Sequence, residues 1–185
     1  MRALSVALVR RVHRHVSRGG VIACATESCF GLGCDPHNER ALRTVLRIKR
    51  RPKFKGLIVV ADRCERFSTL LEPLTESKLN LINATWPGPH TWLIAARQRT
   101  KRSLRGKHST IAVRVTAHVD ASILCRRLSM ALVSTSANRA NHRPARTTRE
   151  CLRRFGRNVM VIPGRIGARK NPSTIQDLIT GKIFR

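Results

Sequence analysis

The stretch A-T-E-S-C-F-G-L-G at residues 25–33 indicates the fold most directly, because it joins the end of an apolar run to a polar turn. Residues 21–25 read V-I-A-C-A and predict a short buried β-strand. A carboxylate between two hydroxyl groups, Thr26-Glu27-Ser28, follows at once. Polar side chains in this place either cap the next turn or line a cleft at the edge of a sheet. The stretch therefore predicts a buried sheet with a polar edge.

Helical and strand patterns alternate outward from this stretch. Apolar residues at helical spacing predict helices over residues 2–18, 37–49, 63–71, 75–84, 118–129 and 147–155. Short apolar runs predict further strands over residues 57–61, 91–95, 111–116, 131–134, 159–163, 174–178 and 182–184. Residues 97–108 are polar and basic, which makes them the best candidate for a mobile loop. The alternation predicts one α/β domain over residues 1–185 with a mostly buried sheet.

The charge of the chain is strongly unbalanced. Its 185 residues include 37 Lys and Arg against 10 Asp and Glu, which gives a formal net charge of +27. This field attracts polyanions such as nucleic acids and nucleotides, although base composition or solubility explains the bulk charge equally well. A hydrophobic content of 42% excludes a disordered basic tail. With no apolar run of membrane length and no export-signal pattern, we expect a soluble, cytoplasmic protein without a membrane partner.

Three more polar segments lie within or beside predicted strands. Residues 49–56 begin with five cations in seven residues, either a solvated charge run or a phosphate clamp. Arg114 lies inside the apolar run 111–115, where its charge is costly unless an anionic partner is buried beside it. Residues 134–138, S-T-S-A-N, either cap a turn or donate hydrogen bonds to phosphate or a small polar substrate. Together with residues 25–33, these segments favour one crevice at the strand ends.

The common phosphate-binding and metal-binding motifs are missing from the sequence. Neither G-x-x-x-x-G-K-[ST] nor, after the first strand, G-x-G-x-x-G occurs, and no Cys/His cluster has zinc-ligand spacing. A nucleotide would therefore be bound without either of these two phosphate-binding loops. The sequence identifies no metal ligands.

Taken in order, the polar segments resemble the motifs of the YrdC-like threonylcarbamoyl-AMP synthases. The family patterns P-T-E-[ST/A]-x-[FY]-G-L-G, K-x-R-P, W-P-G-P-x-T, A-V-R-x-P and S-x-N each have a counterpart here, as do two segments near the end of the chain. The similar segments are residues 25–33, 49–52, 86–91, 112–116, 136–138, 171–175 and 181–185. The resemblance spans nearly the whole chain and is to the short, single-domain bacterial form.

The resemblance implies both a fold and a reaction. The implied fold is a twisted, open, mixed sheet flanked by helices in a single domain. The implied reaction converts L-threonine, bicarbonate or CO2, and ATP into threonylcarbamoyl-AMP and pyrophosphate, with Mg²⁺ accompanying the ATP. The product serves threonylcarbamoyladenosine modification of tRNA, so downstream transfer proteins are expected partners and tRNA itself is a candidate partner.

The resemblance also assigns roles by position. The positions that match catalytic residues are Lys49, Arg51, Ser136 and Asn138. The positions that match the threonine and carbamate pocket are Ser28, Arg114, Ser134 and Ser173. The positions that match ATP contacts are Arg51, Lys55, Thr110, Ser136 and Arg185. Fixed cations would offset the charge that builds on the phosphates, and no nucleophilic side chain is required because the carbamate itself attacks.

Four positions depart from the family patterns. Ala25 replaces a proline, and Lys55 stands where longer relatives commonly have a small amide. His90 is an unusual occupant of the W-P-G-P-x-T motif. Val60 stands where some relatives direct a histidine at threonine, so we expect that contact to be missing or supplied elsewhere.

Two other functions compete with the synthase. The first is an RNA-binding or ribosome-associated protein with a lapsed active site, which the net charge of +27 would suit. Such a module does not need Arg114 in a strand, and 4% aromatic residues with no tyrosine provide few platforms for base stacking. The second is a hydrolase or carbamoyltransferase subdomain, which would normally accompany zinc or acylphosphatase modules.

Overall fold

Six α-helices are present in the computed structural model, which describes residues 5–185. They are α1 (Val6–Ser17), α2 (Glu39–Lys49), α3 (Glu76–Asn83), α4 (Arg102–Arg105), α5 (Val119–Leu128) and α6 (Thr148–Phe155). Side-chain caps start the first two, because Ser5 accepts a hydrogen bond from the Leu8 amide and Asn38 accepts one from the Ala41 amide. The helix predicted over residues 2–18 is found from Val6 onward, while residues 2–4 lie outside the described part of the chain.

Nine strands divide into two mixed sheets. The strands are β1 (Ile22–Ala25), β2 (Phe30–Gly33), β3 (Ile58–Ala61), β4 (His90–Ala95), β5 (Thr110–Val115), β6 (Leu132–Val133), β7 (Thr135–Ser136), β8 (Met160–Val161) and β9 (Thr174–Asp177). The first sheet has the order β7-β2-β1-β8 and the second β6-β3-β5-β4-β9. Parallel and antiparallel pairs occur in both sheets. The predicted α/β class with mixed strand pairing is confirmed.

The division into two sheets, where the sequence indicated one, comes from a crossing at Ser134. The chain leaves the second sheet at Val133 and enters the first at Thr135, so the single residue between them lies where the sheets meet. Because β6 and β7 have only two residues each, the sequence pattern shows a single apolar strand that ends in polar residues, and it does not show two separate strands. The crossing brings polar groups of both sheets to one place.

Buried apolar side chains fill the space between the sheets and helices in two clusters. The larger cluster contains Phe30 from the first sheet and Trp92 from the second. The smaller cluster packs α1 and α5 against Ile22, Val60 and Leu132. Full burial of one such side chain contributes about 1.5–3 kcal/mol, so these clusters hold the strand ends in fixed positions. Within residues 5–185, no helix is both long and apolar enough to cross a membrane.

The prediction of a loop over residues 97–108 is wrong in its centre. Helix α4 lies there, and its Leu104 is fully buried in the larger cluster. The Leu104 carbonyl accepts a hydrogen bond from the Leu57 amide at 2.8 Å, which fixes this segment to the residues before β3. A single leucine among charged and polar neighbours forms no periodic apolar pattern, so the burial of Leu104 could not be predicted from the sequence.

Three smaller differences concern strands and turns. Strand β2 was not predicted, and it forms a tight antiparallel pair with β1 in which Ala25 lies opposite Phe30. The helix predicted over residues 63–71 is a short 3₁₀ turn, Cys64–Phe67. The strand predicted over residues 182–184 is a single bridge between Gln176 and Ile183.

Candidate functional site

A cleft of about 780 Å³ opens where the two sheets meet. Its wall is built from the turn between β1 and β2, the basic segment before β3, strand β5, the crossing between β6 and β7, and the last residues of the chain. Nine of the eleven residues predicted for the site line it: Ser28, Arg51, Lys55, Thr110, Arg114, Ser134, Ser136, Ser173 and Arg185. Segments that are distant in sequence therefore meet in one crevice.

The buried arginine of β5 has an anionic partner, as the sequence required. Arg114 is only 9% exposed, and its Nη2 donates a hydrogen bond to Glu27 Oε2 at 3.0 Å. Thr116 Oγ1 donates to the other oxygen of the same carboxylate at 2.6 Å. Burial lowers the pKa of Arg114, and the negative charge of Glu27 opposes this effect. The predicted ion pair is confirmed, and Glu27 is its second member.

The Arg114 guanidinium makes one side-chain hydrogen bond and leaves further N–H donors without a partner among the described residues. Its Nε is buried and has no hydrogen-bond partner among the described residues. A buried N–H without a partner costs about 1–3 kcal/mol. Arg114 lines the cleft, and its Nη1 group, which also has no hydrogen-bond partner among the described residues but is not fully buried, suits an oxygen of a bound ligand. Arginine presents its donors in a planar fork that matches a carboxylate or a carbamate.

Lys49 and Asn138 do not line the cleft, although both were predicted as catalytic residues. The Lys49 amine donates hydrogen bonds to the carbonyl oxygen of Ser136, to the Asn138 side-chain oxygen at 3.0 Å and to the Asn138 carbonyl at 3.2 Å. Ser136 Oγ donates to the same Asn138 oxygen at 2.6 Å. The structure therefore places Lys49 at the end of α2, behind the cleft wall, where it fastens the loop that carries Ser136.

Lys49 is charged in a poorly solvated position. No carboxylate lies within salt-bridge distance of its amine in the described part of the chain. Burial, with a smaller contribution from the charge of Arg51, lowers the pKa of Lys49 to about 8. Its protonation state therefore changes just above neutral pH.

The basic segment between α2 and β3 brings two cations to the cleft. Arg51 Nε donates to the Gly56 carbonyl at 2.9 Å, which holds the guanidinium half-buried at the wall. Burial lowers the pKa of Arg51, and the nearby positive charge of Arg185 lowers it further. Lys55 is exposed and its amine has no side-chain hydrogen bond among residues 5–185. A glycine is needed at position 56, since φ is +60° and a Cβ would lie 3.0 Å from the Arg105 carbonyl oxygen.

The last residues of the chain also line the cleft. The Phe184 amide donates to the Ile175 carbonyl at 2.8 Å, and the Ile175 amide donates to the Arg185 carbonyl at 3.0 Å. Arg185 Nε donates to the Ser173 carbonyl at 3.2 Å, and Thr91 Oγ1 donates to Ser173 Oγ at 2.8 Å. Hydrogen bonds to the edge strand β9 therefore fix the positions of Ser173 and Arg185.

Several lining residues were not predicted for the site. Glu27 was noted only as a carboxylate in the first stretch, and its pairing with Arg114 spans 87 positions. Phe184 gave no signal, because only its pairing with β9 turns this exposed ring to the cleft. Further cations line the cleft as well: Arg105, Lys107 and Arg169.

The cleft is strongly positive and offers few ligands for a metal ion. Its lining contains seven Lys and Arg side chains, whereas Glu27 and Asp177 are the two carboxylates that line it. Glu27 already accepts from Arg114 and Thr116. Within the described residues, no group of three or more His, Cys, Asp or Glu could hold a metal. The lining therefore suits a polyphosphate, and it offers a Mg²⁺ ion two carboxylate side chains at most.

Three of the four departures from the family patterns, Ala25, Val60 and His90, lie outside the cleft wall. Val60 is buried in the smaller apolar cluster, and nothing of its side chain reaches the cleft lining. The His90 ring packs on Trp92 with 4.5 Å between ring centroids, and burial lowers the pKa of His90. His90 therefore supports the strand β4 rather than the site.

Comparison with known proteins gives concordant matches in sequence and structure. Residues 14–185 match the family model Sua5_yciO_yrdC, whose description is "Telomere recombination". A protein of Methylobacillus flagellatus named threonylcarbamoyl-AMP synthase is 54% identical over 95% of this chain and 98% of its own length. One of Thiobacillus denitrificans with the same name is 50% identical over 94% of this chain and 93% of its own length.

A solved structure shares the fold over almost the whole chain. The crystal structure of P. abyssi Sua5 complexed with L-threonine is 25% identical, has a TM-score of 0.86, and is matched over 95% of this chain. This chain spans about half of that protein, 52% of its length. The part of Sua5 that is similar to this chain therefore includes the complete arrangement of sheets described above.

Proposed function

The chain belongs to the Sua5/YciO/YrdC family, and from this premise we propose that it is a threonylcarbamoyl-AMP synthase. The observation that carries the proposal is the identity of 54% to a synthase whose length this chain covers almost completely. The enzyme is then a nucleotidyltransferase that uses L-threonine, bicarbonate or CO2, and ATP. Its reaction runs in two steps, each of which needs a different part of the cleft.

In the first step the threonine amine attacks CO2, loses a proton and becomes a carbamate. Arg114 is the residue best suited to hold the resulting anion, because its guanidinium lines the cleft and has N–H donors that Glu27 does not occupy. Ser28, Ser134 and Ser173 line the same wall and supply hydroxyl groups for hydrogen bonds to the substrate. The related Sua5 structure is a complex with L-threonine, which supports threonine as a substrate here.

In the second step a carbamate oxygen attacks the α-phosphorus of ATP. The bond between that phosphorus and the oxygen bridging to the β-phosphate breaks, and pyrophosphate leaves. Negative charge grows on the phosphate oxygens, and the guanidinium groups of Arg51 and Arg185 lie where they can offset it. Lys55, Thr110 and Ser136 add one charge and two hydroxyl groups to the same wall. Mg²⁺ enters as part of the MgATP substrate, since the chain contributes no metal-ligand cluster within residues 5–185.

The wider context of the reaction is part of the proposal. The product would pass to proteins that transfer the threonylcarbamoyl group to tRNA, in the cytoplasm. The alternative of a lapsed enzyme is less favoured, since nine predicted site residues converge on one cleft.

A direct assay tests the proposal. The protein is incubated with MgATP, bicarbonate and L-threonine, and pyrophosphate release is measured with and without threonine. We expect release that depends on threonine and bicarbonate, and Arg51→Ala should reduce it at least about tenfold, the scale of one charged contact in a transition state. Lys53→Ala is the matched control, because Lys53 is exposed in the same segment but does not line the cleft. Release that is independent of threonine would overturn the proposal.

A further inference from the structure

A second, separate cleft of about 510 Å³ lies between α1 and α2. Three arginines of the α1 side and two of α2 surround it, all of them exposed: Arg11, Arg14, Arg18, Arg40 and Arg47. None of its lining residues also lines the cleft between the sheets. We call this second cavity the arginine cleft.

The five guanidinium groups have no anionic partners within the described part of the chain. None of them makes an ion pair or a side-chain hydrogen bond there, and no Asp or Glu lines the cleft. Glu39, at the start of α2, is already engaged by Arg43 at 2.8 Å and by Ser103 at 2.6 Å. Five like charges around one cavity repel each other, and an anionic ligand would relieve that repulsion.

Close backbone packing holds the two walls in place. Gly19 ends α1 with φ of +80°, and it lies against Asn38, the residue that caps α2. The His15 ring covers Gly20 and its Nε2 is 3.0 Å from the Val21 carbonyl oxygen. The end of α1 therefore lies close to the start of α2, which brings the arginines of both helices around one cavity.

The chemistry of the lining favours a phosphate backbone. Arginine binds phosphate oxygens with paired donors, and five of them exceed the charge of a single phosphate group. No Phe or Trp lines the cavity, and the one aromatic ring in its lining, His15, already lies over Gly20 with its Nε2 3.0 Å from the Val21 carbonyl oxygen, so the lining favours phosphate contacts over base stacking. No exposed large apolar side chain lines it either, as insertion into a lipid surface would need. Thr44 and Asn158 provide neutral groups that can pair with a ribose 2′-hydroxyl.

We propose that the arginine cleft is a binding site for the phosphate backbone of RNA. Recognition is through charge and ribose contacts rather than through bases, so it is independent of sequence and strongly dependent on salt. Because the two clefts share no residues, RNA and ATP are bound independently. The inference does not rest on the proposed synthase activity.

Paired substitutions test the site. Binding of a labelled tRNA transcript to the full chain is measured between about 50 and 200 mM salt, the range in which phosphate contacts change affinity most visibly. The variants Arg14→Gln/Arg18→Gln and Arg40→Gln/Arg47→Gln each remove two charges from one wall. The control Arg63→Gln/Arg127→Gln removes two charges from exposed positions outside the cleft. Circular dichroism checks that all variants fold.

We expect each cleft variant to weaken tRNA binding and to reduce the slope of log K against log salt by about 1 for each phosphate-binding arginine replaced. The control should keep the wild-type slope, and pyrophosphate release should be unchanged in all three variants. Equal weakening by the control would overturn the proposal, because the charge would then act from the whole surface. Equal binding of duplex DNA of the same length, or equal competition by poly-L-glutamate of matched charge, would overturn the assignment to RNA.

Discussion

The ion pair between Glu27 and Arg114 decides how the cleft presents its buried guanidinium. Glu27 accepts from Arg114 Nη2 at 3.0 Å, which leaves the Nε edge of the guanidinium without a partner. Thr116 holds the carboxylate from the other side at 2.6 Å, so the pair has one orientation. A ligand oxygen can then complete the arginine without displacing the glutamate.

Replacing the carboxylate by its amide should therefore affect threonine binding and stability together. In Glu27→Gln the buried charge of Arg114 loses its partner, and we expect a fall in the free energy of unfolding of about 3 kcal/mol. The KM for threonine should rise about tenfold, because an unpaired guanidinium takes other orientations. Thr116→Val is the comparison variant, since it removes no charge but loses two hydrogen bonds, the one to Glu27 and the one from the His118 amide, at a cost of about 1 kcal/mol each. Urea denaturation and steady-state kinetics measure both effects, and an unchanged KM in Glu27→Gln would contradict this role.

We expect the enzyme to lose activity in mild alkali because Lys49 loses its proton there. Burial lowers its pKa to about 8, and only the protonated amine can donate to all its oxygen partners on Ser136 and Asn138. We expect threonine-dependent pyrophosphate release to fall as the pH rises through about 8. The fall in activity is not due to unfolding. The pKa of Lys49 is lower in the folded chain than its ordinary value of 10.5, so between about pH 8 and pH 10.5 the unfolded chain binds more protons than the folded chain. The contribution of Lys49 to the free energy of unfolding therefore increases as the pH rises through this range.

The variant Lys49→Arg separates this effect from the titration of substrates. A guanidinium stays charged throughout this range, so the alkaline fall should move to higher pH even if the overall rate is lower. The melting temperature of the wild type, measured over the same pH range, reports on folding. A fall near pH 8 that persists unchanged in Lys49→Arg would show that another group titrates.

At the scale of single residues, the sequence predicted that a buried charge requires a partner of opposite charge, but it did not identify the residue that supplies it. A charge inside the apolar run of β5 required a buried anion, and the structure contains one. The partner lies 87 positions away, and no local pattern links the two. Lys49 shows the same limit, because its motif identified the residue but not that its amine points behind the cleft wall.

At the scale of elements, short strands that join the two sheets determine the site. The crossing between β6 and β7 places Ser134 and Ser136 on the wall. The strand predicted over residues 131–134 contains β6, whereas the two-residue strand β7 was not predicted. Longer elements such as α2 and β5 were predicted within one or two residues, because their apolar patterns extend over several turns or pleats. Segments without a repeating pattern, such as the one around Leu104, depend on a tertiary contact that the sequence does not display.

Residues 183–185, which pair with β9, should contribute to nucleotide binding through Phe184. Its ring is 58% exposed yet lines the cleft, and Lys182 Nζ lies 5.4 Å from the ring centroid. An exposed aromatic ring beside a phosphate site suits stacking on adenine, which is worth about 1–3 kcal/mol for one base. We expect Phe184→Ala to raise the KM for ATP roughly tenfold with little change in kcat, and Phe184→Trp to restore it.

A neighbouring residue supplies the control for this prediction. Ile183 is 60% exposed and pairs with Gln176, but it does not line the cleft. Ile183→Ala removes comparable apolar surface from the same segment, so its KM for ATP should stay at the wild-type value. Equal effects of the two substitutions would show that the segment as a whole, rather than the ring, is responsible.

At the scale of the whole molecule, the positive charge divides into parts with different consequences. Seven cations line the cleft between the sheets and five line the arginine cleft, and both sets suit phosphate groups. Five ion pairs are found within residues 5–185, so most of the Lys and Arg side chains in this part of the chain have no carboxylate partner. The positive charge that the sequence could not explain is thus concentrated in part at two clefts, and the remaining Lys and Arg side chains form a general excess of positive charge.

This excess should make stability and nucleotide affinity respond to salt in opposite directions. A net charge of +27 destabilises the compact state by self-repulsion, and the Debye length falls from about 10 Å at 0.1 M salt to about 3 Å at 1 M. We expect KCl over this range to raise the melting temperature by about 2–4 °C, equivalent to about 1 kcal/mol for a chain of this size. The same screening weakens the attraction between ATP and the cleft, so the Kd for ATP should rise. Scanning fluorimetry and equilibrium dialysis measure the two responses in the same buffers. A melting temperature that falls with KCl would mean that attractive ion pairs outweigh the repulsion, contrary to the few pairs in the structure.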